Sequence, residues 1–198
     1  MIAVTLYDWR QKYIAQHTQP FNSRYFEEQG ISYNVGTNSL DDARPTAWSK
    51  LLAVRRLLLN NEWVLWVDND LIITDSNWDI RKYCANDMAI SYESKDTEVI
   101  NTGFWLFRSC QWTFDFIDEL WDQDCIHHNL WEQEAFNRIY KKHLDHINLI
   151  PKLEVQCSLF DWKPGIPICH FLGTQKKYIK DFVKHDPFLS WEELKVVL

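Results

Sequence analysis

Glycine is scarce in this chain, five in 198 residues, and no Gly/Ser linker, low-complexity tract or internal repeat appears, so a single domain over residues 1–198 is expected. Uninterrupted apolar runs are short as well. None approaches the 18 or more residues that a membrane-spanning helix needs. The first eight residues lack the basic start of a secretory signal and read instead as a short apolar strand. The five cysteines include no C-x-x-C pair, which argues against a disulfide framework or a structural zinc site. Cys84, Cys110, Cys125, Cys157 and Cys169 read as reduced, half-buried thiols, and a cytoplasmic protein is expected. Positive charge is in deficit too. The 21 Lys and Arg against 28 Asp and Glu leave a net charge of −7, too acidic for a broad electrostatic grip on nucleic acid or anionic lipid.

What remains is ordinary globular composition, 46% hydrophobic and 25% charged, with an unusual store of aromatics: 11 Trp, 11 Phe and 8 Tyr. Flat apolar side chains serve a core or face a ring-shaped ligand, and the count alone does not choose. Patterning predicts strands at 2–7, 31–35, 63–67, 88–91, 103–107 and 146–150. It predicts helices at 21–29 (stopped by Gly30), 48–59, 113–122 and 130–143, with another near the C-terminus. Residues 36–45 read as a loop. Strand and helix alternate in the first half, which points to a doubly wound, largely parallel sheet.

Asp68-Asn69-Asp70 follows the fully apolar strand Trp63 to Val67. Ligands of open α/β sheets gather at the carboxyl ends of strands, and two carboxylates one residue apart can hold a hard divalent cation that shares its oxygens with phosphate. The same residues also suit a solvated turn. A D-x-D after an apolar strand also occurs in hydrolases with an aspartyl nucleophile, although here it lies on the third strand and is followed by Leu71-Ile72. Near the end, His170-Phe171-Leu172-Gly173-Thr174-Gln175-Lys176 offers an imidazole ligand, a glycine for close backbone approach and a cation for a diphosphate. Packed histidine beside a turn is the plain alternative. His127-His128 resembles a metal pair, but adjacent helical residues point apart.

Together these motifs resemble those of nucleotide-sugar glycosyltransferases of the GT-A fold, an α/β/α sandwich with a largely parallel mixed sheet. The nearest likeness is to the retaining bacterial galactosyltransferase and glycogenin type, the yeast galactosyl and mannosyl transferases and the plant xylosyl transferases. Trp48-Ser49-Lys50 resembles their W-x-K helix, and Trp66 to Asp70 their W-x-D-x-D. Asn101-Thr102-Gly103 resembles their N-x-G strand, and Glu132-Gln133-Glu134 stands where the family has D-Q-D. The literal Asp122-Gln123-Asp124 lacks the following x-x-N and reads as a decoy.

The resemblance implies Mn²⁺ (or Mg²⁺) on Asp68, Asp70 and His170. It implies a nucleotide, UDP by preference, near Thr5, Leu6, Tyr7, Arg10, Lys50 and Asp68, with its diphosphate on Gly173 and Lys176. The donor sugar is expected at Asn69, Asn101, Thr102, Gly103 and Gln133. Gln133, Glu132 and Glu134 are the expected catalytic group, and the acceptor is a glycan, a glycoprotein or another hydroxyl compound. Transfer is expected with retention, the donor phosphate assisting acceptor deprotonation; double displacement would use Glu132 as nucleophile. A binding domain without turnover is the non-enzymatic alternative. Eukaryotic members of these families carry a membrane anchor and stem, so the chain is expected to be a free enzyme or one domain of a longer polypeptide. Trp63, Trp66, Phe104 and Phe107 are expected in the core. Trp48, Trp105, Trp131, Trp162 and Phe171 are expected beside the donor and acceptor clefts.

Overall fold

The computed structural model describes residues 1–93, 98–185 and 188–197. Its main sheet is built from β1 (Ile2–Leu6), β2 (Ser32–Gly36), β3 (Trp63–Val67), β5 (Met88–Tyr92), β6 (Ile100–Arg108) and β7 (Ile147–Ile150), in the order β2-β1-β3-β6-β5-β7. Neighbours run parallel except around β6, which is antiparallel to both β3 and β5. The alternation expected of a doubly wound fold therefore holds with one strand reversed. That reversal brings the start of β6 to the same edge as the end of β3.

Apolar residues alternate across the sheet. Val4, Val64, Trp66, Trp105 and Phe107 pack beneath α2 (Ser49–Leu58), α3 (Gln111–Trp121) and α4 (Trp131–Ile139). Ala3, Leu65, Val67, Phe104 and Leu106 face Tyr25 and Phe26 of α1 (Lys12–Glu28) on the other side. This is the three-layer α/β/α sandwich that the motif resemblance implies.

α1 starts nine residues earlier than patterning predicts and carries Pro20 in its interior. Proline removes one backbone N–H, which argues for a break. Pro20 lies on the exposed side, where water reaches the freed carbonyl of the preceding turn. The buried stripe Ile14, Thr18, Asn22, Tyr25 and Phe26 keeps the helix continuous.

A second, small sheet escapes patterning. β4 (Leu71–Ile73), β8 (Gln156–Ser158) and β9 (Ile168–His170) lie in the order β4-β9-β8. Ile72, Cys157, Cys169, Trp162 and Phe171 form a separate core there with α5 (Ile179–Phe182) and Leu194 of α6 (Trp191–Val197). Strands of three residues carry too few alternations to register as a period.

All five cysteines are free, and burial pushes the Cys84 thiol up to about 11 and that of Cys157 up to about 12. Among the described residues, no helix is long and apolar enough to cross a membrane.

Candidate active site

The carboxyl ends of β1 and β3, the start of β6, the N-terminus of α4 and the segment after β9 enclose a cavity of about 850 Å³. Asp68 and Asp70 occupy the turn after β3. β9 runs antiparallel to β4 with His170 opposite Leu71, and the Phe171 N–H donates to the Asp70 carbonyl at 2.9 Å. His170 Nε2 thereby lies 3.1 Å from Asp70 Oδ1, although the two are 100 residues apart. One ligand atom from each of Asp68, Asp70 and His170 lies within 4.8 Å of the others. Two carboxylates and an imidazole suit a borderline-hard divalent ion such as Mn²⁺ or Mg²⁺, so the residues fit the implied metal.

Both carboxylates are also held by lysines. Lys176 Nζ reaches Asp70 Oδ2 at 2.7 Å. Burial would raise the Asp70 carboxyl, but the His170 ring and the Lys176 ammonium outweigh it and hold the acid well below its usual range. Lys50, expected beside the nucleotide, is 3% exposed. Its ammonium contacts Asp68 at 3.0 Å and Glu132 at 2.6 Å. Desolvation alone would discharge Lys50; the two carboxylates overcome it and keep its pKa above the ordinary value. With the carboxylates and ammonium groups ionised and the His170 ring neutral, as a metal ligand is, three carboxylates face two ammonium groups, leaving one net negative charge. A divalent cation reverses that sign and suits the site to a diphosphate.

β6 supplies the far wall. Ile90 of β5 pairs with Trp105, but the next residue, Ser91, pairs with Asn101. Residues 102–104 therefore bulge from that ladder, and of the three only Thr102 lines the cavity. The Thr102 N–H donates to Gln133 Oε1 at 3.3 Å, and its hydroxyl donates to Glu132 Oε1 at 3.0 Å. Glu132 Oε2 is buried and has no hydrogen-bond partner among the described residues. Burial pushes the Glu132 carboxyl up against the pull of Lys50. An unpaired buried oxygen is costly unless a ligand completes it, so this atom is poised to accept a hydroxyl. Trp131 directly precedes it, 44% exposed, in a left-handed conformation with φ 46°. Such a conformation is strained for a bulky residue, and strain of this kind gathers at ligand sites.

Of the other sequence-expected residues, Leu6, Tyr7 and Arg10 line the cavity at the end of β1, and Asn69, Asn101 and Thr102 line it at β3 and β6. Gly173 lines it too, with a φ of 50° that favours glycine. Three expected residues lie off it. Thr5 is fully buried beneath the sheet surface. Glu134 turns outward to Arg138 at 2.9 Å. Gly103 sits behind the wall, where an added Cβ would lie 2.3 Å from His170 Cε1. Asn69 borders the cavity, but its carboxamide is spent on Gln19 and the Gln11 carbonyl. Asp124 of the decoy pairs with Arg138, and His128 accepts from the Leu130 N–H; neither lines the cavity.

The aromatic assignment needs correcting. Trp48, Trp105, Trp162 and Phe171 are all at most 3% exposed, so they belong to the cores and cannot stack on a sugar. Trp131 alone of that group is open to the cavity. Trp66, expected in the core, does more than pack: its indole N–H donates to Asp68 Oδ1 at 2.6 Å and Lys50 Nζ lies 5.3 Å from the centre of its ring. Sequence reasoning also passed over Asp8, Thr46 and Glu93, which line the cavity from loops and strand ends. Only Asp8 carried a local signal. It caps the turn Trp9–Gln11, and its carboxylate pairs with Arg10 at 2.6 Å.

A sandwich of this topology, with an Asp-x-Asp turn, a distant histidine and a lysine around one cleft, defines a GT-A nucleotide-sugar transferase. Residues 14–189 match the family described as nucleotide-diphospho-sugar transferase; the chain belongs to that family. A probable xyloglucan 6-xylosyltransferase of Arabidopsis thaliana is 32% identical over 105 residues, which is 48% of this chain and 23% of that protein. The chain thus matches less than a quarter of the length of that relative.

Among solved structures, a glycosyltransferase involved in glycosylating the major capsid of PBCV-1 superposes with a TM-score of 0.75 at 12% identity, covering 93% of this chain and 99% of that one. A mutant of Drosophila β1,4-galactosyltransferase 7, solved with manganese, UDP-Gal and xylobiose, superposes with a TM-score of 0.54 at 14% identity, covering 98% and 80%. At such identities the likeness is one of fold.

Proposed function

We propose that this chain is a metal-dependent glycosyltransferase that moves a sugar from a nucleoside-diphosphate sugar, UDP-sugar by preference, to a hydroxyl of a glycan or glycoprotein with retention. The observation that carries this reading is the meeting of Asp68, Asp70 and His170 within 4.8 Å, beside Lys176, on one wall of the cavity.

Asp68, Asp70 and His170 would hold Mn²⁺ or Mg²⁺, whose chemistry is to neutralise charge building on the leaving diphosphate. Manganese and UDP-Gal in the fold-related Drosophila structure support that choice of ion and nucleotide. Lys176 adds a fixed positive charge on the same side, with nothing to reorganise as the glycosidic bond breaks. Leu6, Tyr7 and Arg10 form the cavity edge at β1, where the nucleotide lies in this reading, and Gly173 brings its backbone to the diphosphate. Gln133 is oriented by the Thr102 N–H, so its carboxamide can face the anomeric carbon. Glu132 Oε1 is tied to Lys50 and Thr102, which leaves Oε2 to accept a donor-sugar hydroxyl. With Glu132 so occupied, the donor's own phosphate oxygen takes the acceptor proton on the face the leaving group vacates. Five free cysteines support work in a reducing compartment such as the cytoplasm.

The test is release of nucleoside diphosphate from a panel of UDP- and GDP-sugars, with Mn²⁺ and with chelator. Metal-dependent cleavage of at least one donor is the expected result; no binding or cleavage of any donor sinks the proposal. The exposed indole of Trp131 is the stacking face for an acceptor ring. Trp131→Ala should raise the acceptor KM about tenfold, a loss of roughly 1.4 kcal/mol, and Trp131→Phe should recover most of it. An unchanged KM in the alanine variant would remove Trp131 from the acceptor site.

A further inference from the structure

The middle residue of the Asp68-Asn69-Asp70 turn is held by a chain of side chains that starts at the far edge of the sheet. The Tyr33 hydroxyl on β2 donates to Gln19 Oε1 at 2.7 Å. Gln19 Nε2 donates to Asn69 Oδ1 at 3.0 Å, and Asn69 Nδ2 donates to the Gln11 carbonyl at 3.3 Å. The chain has one polarity. The part-buried tyrosine hydroxyl enters as donor, which sets the Gln19 amide, and that in turn sets Asn69. Beside it, the Thr18 hydroxyl donates to the Asn69 carbonyl at 2.8 Å. One turn further along α1, Asn22 donates to the Leu71 carbonyl and accepts from the Ile73 N–H. The polar residues of α1 therefore clasp the backbone that carries both aspartates.

We propose that Gln19 is a positioning residue for the metal site, holding Asn69 so that Asp68 and Asp70 present their carboxylates together. Gln19 touches none of Asp68, Asp70 or His170 through any hydrogen bond described for it; it acts through Asn69. This inference rests on the metal-dependent reading above. Thr18 and Asn22 hold the main chain whatever Gln19 does, so its loss loosens the turn without unfolding it. Outer partners of this kind commonly change metal affinity by about 10–100-fold.

The experiment measures Mn²⁺ binding to the whole chain, free ion being counted by electron paramagnetic resonance, with thermal melts as the control for folding. Gln19→Met keeps the length of the side chain and removes both hydrogen bonds; its Mn²⁺ affinity should fall about tenfold. Tyr33→Phe removes only the hydroxyl that orients Gln19, and should lower affinity about threefold with the fold intact. In both variants kcat at saturating Mn²⁺ should return toward the native value, because the ligands themselves are present. Mn²⁺ affinity within a factor of two of native in Gln19→Met overturns the proposal, even if its melting temperature falls. Should that variant fail to fold, unchanged affinity in Tyr33→Phe overturns it equally. If the native chain binds no Mn²⁺, the metal reading itself fails; native binding with unaffected variants defeats the role of Gln19 alone.

Discussion

Gly103→Ala is expected to cost the protein most of its metal affinity while leaving every charged residue of the site in place. The substituted Cβ would lie 2.3 Å from His170 Cε1, 2.8 Å from its Nδ1 and 2.7 Å from Asn101 Oδ1. Separations below 3 Å are not sustainable, so a neighbour must give way. Asn101 is committed, its Oδ1 accepting the Gly103 N–H at 2.7 Å. The Gly103 carbonyl accepts the Asp68 N–H at 2.7 Å, which ties β6 to the turn. The His170 ring is what can move, and it is 3% exposed with Nε2 directed at Asp70.

Overpacking of this kind costs roughly 1–3 kcal/mol of stability, and displacing a ligand's ring should lower metal affinity about 100-fold. Mn²⁺ titration and a thermal melt of the variant check both. The cause can be isolated by adding His170→Ala: Gly103→Ala should cost less stability in that background than in the native chain, since the ring nearest the new Cβ is gone. Gly103→Ala binding Mn²⁺ as tightly as the native chain would show that the glycine is not there to make room for the histidine.

Asp70→Asn carries the second large effect. The carboxylate is contacted by His170 at 3.1 Å and by Lys176 at 2.7 Å, and both lie where its charge is needed for a cation. Asparagine keeps the shape and removes the charge. The variant should lose metal-dependent donor cleavage by about 10²–10³-fold, the usual cost of deleting one fixed electrostatic partner of a developing charge. Raising Mn²⁺ should recover little of this, because Lys176 is then left without its anion and repels the ion. Initial rates of nucleoside diphosphate release across a Mn²⁺ series measure the loss. Activity within tenfold of native would place the cation elsewhere.

Much of the scaffold could be read along the chain because its signals are local. The apolar runs of β1 and β3 and the punctuation by Gly30 and Asp68 each lie within a window of a few residues. The Asp-x-Asp turn belongs to this class, since an apolar strand ending in carboxylates is a contiguous pattern. What failed locally did so for stated reasons. The helix expected from Phe21 begins at Lys12, because burial of Ile14 and Thr18 outweighs the one hydrogen bond that Pro20 removes on an exposed face. The aromatics were divided wrongly because Trp48 and Trp105 differ from Trp131 only in how far each is buried, 0%, 0% and 44% exposed.

By itself, then, the sequence determined an α/β chain with its acidic turn at a strand end, and motif order pointed to a nucleotide-sugar transferase. Tertiary structure alone decided the site. His170 reaches Asp70 across 100 residues only because the three-residue strands β4 and β9 pair. Gly103 matters because of a ring that packs against it from the second sheet. Lys50 is a buried partner of Asp68 and Glu132, and not a surface cation, because α2 and α4 close over the start of β6. Gln19 addresses the turn because α1 crosses behind it. Hydrophobic periodicity is a property of neighbours in sequence, whereas a ligand set is a set of distances between strands, and those exist only once the two sheets have packed.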